Sequence, residues 1–350
     1  MESILGILFH SIGGFSSGSF YMPFKKVKDW AWESYWLVGG LFSWLIVPPI
    51  AAYLTIPNFT EIISAAATSI KALAFTMGLI WGIGGLTYGL GVRYLGMSLG
   101  NSITLGFCSA FGALIPPIYY QFNAVEGKES IGDMFSNQGG QIVLLGVLVC
   151  IIGITILGKA GMLKEKDFAV GHEDKDKDFS LVKGLIIAIV SGILSSFFNF
   201  GIEVGKPLAE AAVVEGCNPL FQNNVTYIVV LWGGLTTNLI WCVFLNFKNK
   251  TFGDYTNTKT PITQNVLFSA LAGTMWFLQF FFYGMGESKL GNGASSWILH
   301  MSTIILTANF WGFYLKEWTG VSKKTFNAFL IGIALMFLSI VLVGIGNSLE

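Results

Sequence analysis

Charge is what this chain has least of. Asp, Glu, Lys and Arg make up 11% of its 350 residues, against 53% hydrophobic ones. A soluble domain carries about a quarter charged residues, so this chain lacks the polar surface that keeps a protein in water. Lipid is its expected solvent. The 20 basic residues balance the 20 acidic ones and form no block that would suit nucleic acid. Cysteine is also scarce: Cys108, Cys150, Cys217 and Cys242 lie far apart, mostly in apolar runs. No CxxC or Cys/His pair offers a metal or redox centre, and packing roles are expected. Walker loops, paired carboxylates inside an apolar run and a co-located Ser/His/Asp set are all missing. The sequence therefore points away from an enzyme and calls for no nucleotide, metal or other cofactor, and for no protein partner.

What fills the chain instead is a series of long apolar runs. A membrane-crossing helix needs roughly 17–25 apolar residues. Runs of that kind fall at 4–22, 34–54, 72–92, 97–120, 141–158, 183–205, 223–246, 262–286, 293–315 and 325–346. The first begins at Ile4 without a basic leader or a cleavage site, so it reads as a retained span and not a signal peptide. The long polar stretch Lys159–Asp178 (with LKEKDFAVGHEDKDKD) reads as a solvated linker and holds His172. Loops after the odd-numbered spans hold sixteen of the 20 Lys and Arg, and those after the even-numbered spans hold four, Lys71, Lys128, Lys206 and Lys289. The positive-inside rule then puts the odd-span loops in the cytoplasm and both termini on the opposite, periplasmic side.

The second half of the chain echoes the first. WGIGGLTYGLGVRYLG (81–96) and WFLQFFFYGMGESKLG (276–291) share Trp81/Trp276, Tyr88/Tyr283, Gly89/Gly284, Gly91/Gly286, Leu95/Leu290 and Gly96/Gly291 at one offset of 195, as do Gly78 and Gly273. Gly-Gly-Leu at 39–41 recurs at 233–235, and Ser16-Ser17 after Gly13 recurs as Ser195-Ser196 after Gly192. Two five-span sets of odd number must face opposite ways. The expected fold is an all-α membrane protein of ten transmembrane helices in two inverted five-helix repeats, 1–158 and 181–350, joined by a cytoplasmic linker at 159–180. That is a secondary-transporter architecture, with a solute site near the midplane. The 43 glycines suit close helix approach, because no hydrophobic force drives helices together in lipid. Pro48-Pro49 and Pro116-Pro117 are expected to kink or stop their spans.

Candidate solute contacts come from the duplicated segments. Trp276, Gln279, Phe280 and Tyr283 share one helical face, and Trp81, Gly84, Gly85 and Tyr88 take the same places in the first copy. Aromatic rings with an amide between them suit a sugar, whose C–H faces lie on rings and whose hydroxyls bond amides, phenols and indoles. The bland reading of Trp and Tyr is an interfacial belt; Gln279 lies too deep for it. Asn199 and Trp297 complete the expected substrate set with Trp81, Tyr88, Trp276, Gln279 and Tyr283. Glu203 with Lys206, one turn apart, reads as an ion pair. No carboxylate occupies the middle of a span, so His10 and His300, within spans, and Glu33, beside Lys25, Lys26 and Lys28, are the proton-coupling candidates. A structural hydrogen bond is the alternative for each histidine, and a lysine pair for Glu33.

Five strings give the chain a further likeness: FYMPFKKVKDWAWE (20–33), WGIGGLTYGLGVRYLGMSLG (81–100), MWFLQFFFYGMGESKLG (275–291), WILHMS (297–302) and LKEW (315–318). Together they resemble the bacterial L-rhamnose–proton symporter family of the drug/metabolite transporter superfamily, over nearly the whole length. The resemblance implies uptake of L-rhamnose with protons across the inner membrane; it supplies no binding residues. Three rivals stay open: a carrier of another neutral sugar or metabolite, an exporter, and a receptor that moves nothing.

Overall fold

In a computed structural model the protein is helical throughout, with no strand among the described residues, which are 2–124, 129–169, 180–290 and 293–349. His172, with the rest of 170–179 in the expected linker, Lys128 and Gly291 lie outside them. In chain order the α-helices are α1 (Glu2–Ser19), α2 (Tyr21–Phe24), α3 (Trp32–Gly40), α4 (Val47–Thr55), α5 (Phe59–Ala65), α6 (Thr68–Leu95), α7 (Met97–Phe122) and α8 (Ile131–Ser136). They continue as α9 (Gln138–Ala169), α10 (Leu181–Ser195), α11 (Phe197–Val204), α12 (Lys206–Val214), α13 (Asn224–Asn249), α14 (Ile262–Leu290), α15 (Gly293–Tyr314) and α16 (Lys323–Ser348). A π-helical segment, Leu41–Ile46, joins α3 to α4.

Helix satisfies every backbone group within its own segment, which lipid demands. Among the described residues eight helical stretches are long and apolar enough to cross a membrane: 32–55, 68–95, 98–122, 138–168, 181–214, 219–249, 262–290 and 323–346. They coincide with eight of the ten expected spans. Helices α1 and α15 occupy the first and ninth positions but fall outside that set. Large apolar side chains such as Leu54, Phe122, Val182, Ile240 and Phe247 stand 66–82% exposed, as lipid-facing residues do. The protein is thus a multi-pass membrane protein.

One boundary departs from expectation. Helix α9 does not stop at 158 but continues to Ala169. Its charged end is packed: Lys164 is buried, with its ammonium 4.9 Å from the Trp318 ring centre. The Asp167 carboxylate accepts hydrogen bonds from the Ser322 N–H at 2.8 Å and the Thr325 hydroxyl at 2.5 Å, at the start of α16. A charge run read as solvated linker is in part a helix with partners.

The chain forms two compact units. The first comprises residues 1–83 and 198–289, the second 84–197 and 290–350, so each draws on both sequence halves. In the first unit, bare backbone sets the helix spacing. A Cβ at Gly78 of α6 would fall inside the Val230 carbonyl of α13, 3.2 Å from Gly233 Cα, and a Cβ at Gly273 of α14 would fall inside the Gly39 carbonyl of α3. Between the helices run polar ties. Asn238 Nδ2 donates to the Gly82 carbonyl at 3.2 Å, and Trp36 Nε1 donates to Asn238 Oδ1 at 2.9 Å.

The second unit packs α7 against α10 and α15, and α9 against α16. Gly96, at φ +84°, turns the chain between α6 and α7. The first free N–H groups of α7 then meet an acid: the Ser98 N–H donates to Glu317 Oε2 at 3.0 Å, the favourable sign for a helix N-terminus. The short α8 starts with a Ser130/Asp133 capping box. Hydrogen bonds from the Ser130 side chain and backbone hold the Asp133 carboxyl below its ordinary range.

Candidate functional site

The site grows out of the two duplicated tryptophans. The glycine seams at Gly78 and Gly273 draw α6 and α14 into the same unit, and the Trp81 and Trp276 ring centres come to 5.4 Å. Trp81 lies over Gly234 of α13, where any side chain would displace its ring. A third tryptophan joins them. Trp44 sits edge-on to both, 6.1 Å from Trp81 and 5.9 Å from Trp276.

Trp44 belongs to the π-helical turn, and the sequence gives a cause. Pro48 and Pro49 have no N–H for the carbonyls of Trp44 and Leu45 one turn earlier, and their rings would press on those carbonyls. Widening the preceding turn relieves both problems. The chain therefore bulges at 41–46 and does not simply stop, as the proline pair suggested. Such bulges occur frequently at functional sites.

Phe20, Phe24, Trp36, Ser43, Trp44 and Trp276 line a narrow cleft together with Gly39, Gly40 and Gly273. Its polar groups are few. Ser43 donates its hydroxyl to the Gly273 carbonyl at 2.9 Å. The Trp44 indole N–H is buried and meets no acceptor among the described residues. A buried donor without a partner costs about 1–3 kcal/mol, so an acceptor brought into this cleft has something to satisfy.

The other expected contacts divide between the units. In the first, Gln279, Phe280 and Tyr283 are buried along one face of α14, as their spacing predicts. The Gln279 amide is engaged on both sides: Oε1 accepts from the Ser17 hydroxyl at 2.8 Å and Nε2 donates to the Trp276 carbonyl at 2.9 Å. Asn199 is half-buried beside Phe198, which stacks on Phe280 at 4.1 Å and meets Trp81 at 5.1 Å. In the second unit the Tyr88 hydroxyl donates to Asn101, and Trp297 is buried against Gly112.

Of the proton candidates, His10 is fully buried in the first unit, its ring filling the space a side chain at Gly286 would need and lying 5.5 Å from the Tyr283 ring. His300 is fully buried in the second unit. Glu33, buried in the first turn of α3, accepts from Asn249 Nδ2 at 2.8 Å and the Thr251 hydroxyl at 2.9 Å. Its described partners are thus an amide and a hydroxyl. Nearby Tyr255 has its phenol pushed up chiefly by burial. Glu203 and Lys206 form the expected ion pair, at 3.2 Å.

Sequence reasoning missed three participants. Trp44 gave a signal only through the prolines that follow it. Ser17, noted as half of a repeated Ser-Ser pair, gave none as a partner of Gln279. Glu287 gave none either, and it accepts from Asn223 Nδ2 at 2.8 Å.

Membrane-crossing helices around an aromatic cleft, with ionisable groups buried among them, define the class of membrane carriers of small solutes. The chain belongs to the L-rhamnose-proton symport protein (RhaT) family, whose model matches residues 1–349. It is 39% identical over 348 residues to the L-rhamnose-proton symporter of Yersinia pestis (strain Pestoides F), covering 98% of each chain. The L-rhamnose-proton symporter of Escherichia coli (strain K12 / DH10B) is also 39% identical, over 347 residues, 98% of this chain and 97% of that one. The family is one of symporters, not enzymes.

Proposed function

We propose that this protein takes up L-rhamnose together with protons, and that the sugar binds in the first unit against Trp44, Trp81 and Trp276. The observation that carries the reading is the meeting of the two duplicated tryptophans beside a cleft that holds an unsatisfied indole N–H. A 6-deoxy sugar has a methyl group and C–H faces for the rings and hydroxyls for the N–H. Asn199, Gln279 and Tyr283 are the further contacts in this unit. Gln279 reaches the sugar by exchanging its Ser17 bond. Tyr88 and Trp297 belong to the second unit, outside this set of contacts.

We further place the protein in the bacterial inner membrane, with ten spans in two inverted repeats, a cytoplasmic linker and periplasmic termini. The lysine distribution and the repeated Gly78/Gly273 seams support this arrangement. One proton moving down 100 mV supplies about 2.3 kcal/mol, enough for roughly fiftyfold accumulation of a neutral sugar. His10, His300 and Glu33 are the groups proposed to handle it. The test is uptake of radiolabelled L-rhamnose into proteoliposomes with an imposed pH gradient. Accumulation that unlabelled L-rhamnose abolishes is the expected result. Competition by a different sugar alone would move the substrate, and absence of gradient-driven sugar flux would overturn the proposal.

A further inference from the structure

The last two turns of α14 present two faces to two different neighbours. Tyr283 and Gly286, three residues apart, hold the His10 ring of α1. Gly284 and Glu287, also three apart, face the start of α13. A Cβ at Gly284 would lie 3.0 Å from the Tyr227 hydroxyl and 3.4 Å from Asn223, and Asn223 donates to Glu287 at 2.8 Å. Glu287 therefore sits half-buried beside the Asn223 amide, with the Tyr227 and Tyr283 phenols near it. The charged groups acting on it are Lys206, which attracts its negative form, and Glu203, which opposes it. These two are paired with each other at 3.2 Å, so Lys206 is shared between two carboxylates.

That environment tolerates both protonation states of a carboxyl group. The carboxylate keeps one charge-assisted bond, from Asn223. The acid form removes a charge from poorly hydrated surroundings, which favours it. An ionisable group within a membrane-spanning helix is a functional candidate by default. The repeat sharpens this. At the offset that aligns Trp81 with Trp276 and Gly91 with Gly286, the counterpart of Glu287 is Val92. The first copy is apolar where the second carries an acid, so packing alone does not call for one.

We propose that Glu287 binds the coupled proton in the transport cycle, as a further member of the relay that holds His10, His300 and Glu33. The inference rests on the sugar reading of the first unit and deepens it. Glu287 lies eleven residues beyond Trp276 and eight beyond Gln279, about 16 and 12 Å along one helix axis at ~1.5 Å per residue. Protonation and sugar binding thus act on the same helix.

The test uses the full chain in proteoliposomes and two assays. Glu287→Gln is expected to lose gradient-driven accumulation, the roughly fiftyfold ratio per 100 mV collapsing toward one. It should keep L-rhamnose counterflow, which needs no net proton movement, and that counterflow should become insensitive to pH. Glu287→Asp should retain accumulation with a displaced pH profile. Wild-type accumulation by Glu287→Gln overturns the proposal, as does loss of counterflow in a variant that reaches the membrane with unchanged thermal stability. If Glu287→Gln does not fold, Glu287→Asp decides, and a wild-type pH profile there overturns it. Absence of counterflow in the unaltered protein would instead sink the sugar reading on which this one rests.

Discussion

Around Trp81 and Trp276 the first unit packs rings against bare backbone, whereas around Asn309 the second unit packs hydroxyls against an amide. In the first, glycines at 78, 233, 234 and 273 strip the helix surfaces so that indoles and carbonyls fill the space. In the second, Asn309 Nδ2 donates to Ser102 at 3.1 Å and to the Ile305 carbonyl at 2.8 Å, while Ser98 donates to Asn309 Oδ1. The Ser191 hydroxyl donates to the Gly84 carbonyl at 2.8 Å. Lipid offers no hydrophobic force between helices, so each unit needs another source of cohesion. Ring packing leaves room and an unsatisfied donor beside a cleft. The network around Asn309 saturates its own groups. That difference is why we propose the first unit for the sugar.

The largest test strikes the glycine seam. Gly273→Val places a branched side chain on the Gly39 carbonyl, and backbone cannot rotate away as a side chain can. Overpacking where side chains give way costs about 1–3 kcal/mol; here we expect the top of that range or more, read as a drop in thermal midpoint in detergent and loss of uptake. Gly78→Val should behave alike, since it meets the Val230 carbonyl. An unchanged midpoint in both would show that the first unit does not depend on backbone contact.

The next tests bear on the cleft. Trp276→Ala should raise the half-saturating L-rhamnose concentration at least about tenfold, or ~1.4 kcal/mol. Trp44→Phe keeps a ring but removes the indole N–H, so a smaller rise is expected, about five- to tenfold for one hydrogen bond near 1 kcal/mol. Gln279→Ala should raise the same constant while leaving insertion intact. Ser17→Ala frees the Gln279 carbonyl and should shift sugar affinity by less. A larger affinity loss from Trp297→Phe than from either tryptophan change in the first unit would reverse the comparison.

The legible and the hidden parts of this protein have different physics. The Trp and Gly matches at a fixed offset were readable because a duplicated helix keeps its contact face, and the structure does bring Trp81 and Trp276 together. The spans were readable because lipid demands about twenty apolar residues in a row. The π turn was not, since Pro48-Pro49 reports a missing donor without saying how the preceding turn will adapt. The charged end of α9 was hidden for a related reason: Lys164 and Asp167 look solvated until Trp318, Ser322 and Thr325 arrive from another helix. Glu287 was hidden in the same way, since its partner Asn223 arrives from the start of another helix.

The smallest expected effect tests the second unit from within. Thr104 of α7 is fully buried, and its hydroxyl has no hydrogen-bond partner among the described residues. Replacing such a group by an apolar one of the same shape is nearly neutral or stabilising, because an unpaired buried hydroxyl contributes a desolvation penalty and no bond. Thr104→Val should therefore hold or slightly raise the thermal midpoint and leave L-rhamnose uptake within about twofold, less than ~0.4 kcal/mol. Asn309→Ala differs in kind, since it removes the acceptor of the Ser98 hydroxyl and a donor to Ser102, and it should lower the midpoint without changing sugar affinity. If Thr104→Val instead abolished uptake at unchanged stability, its hydroxyl would be waiting for a transported partner. The second unit would then share the work assigned here to the first.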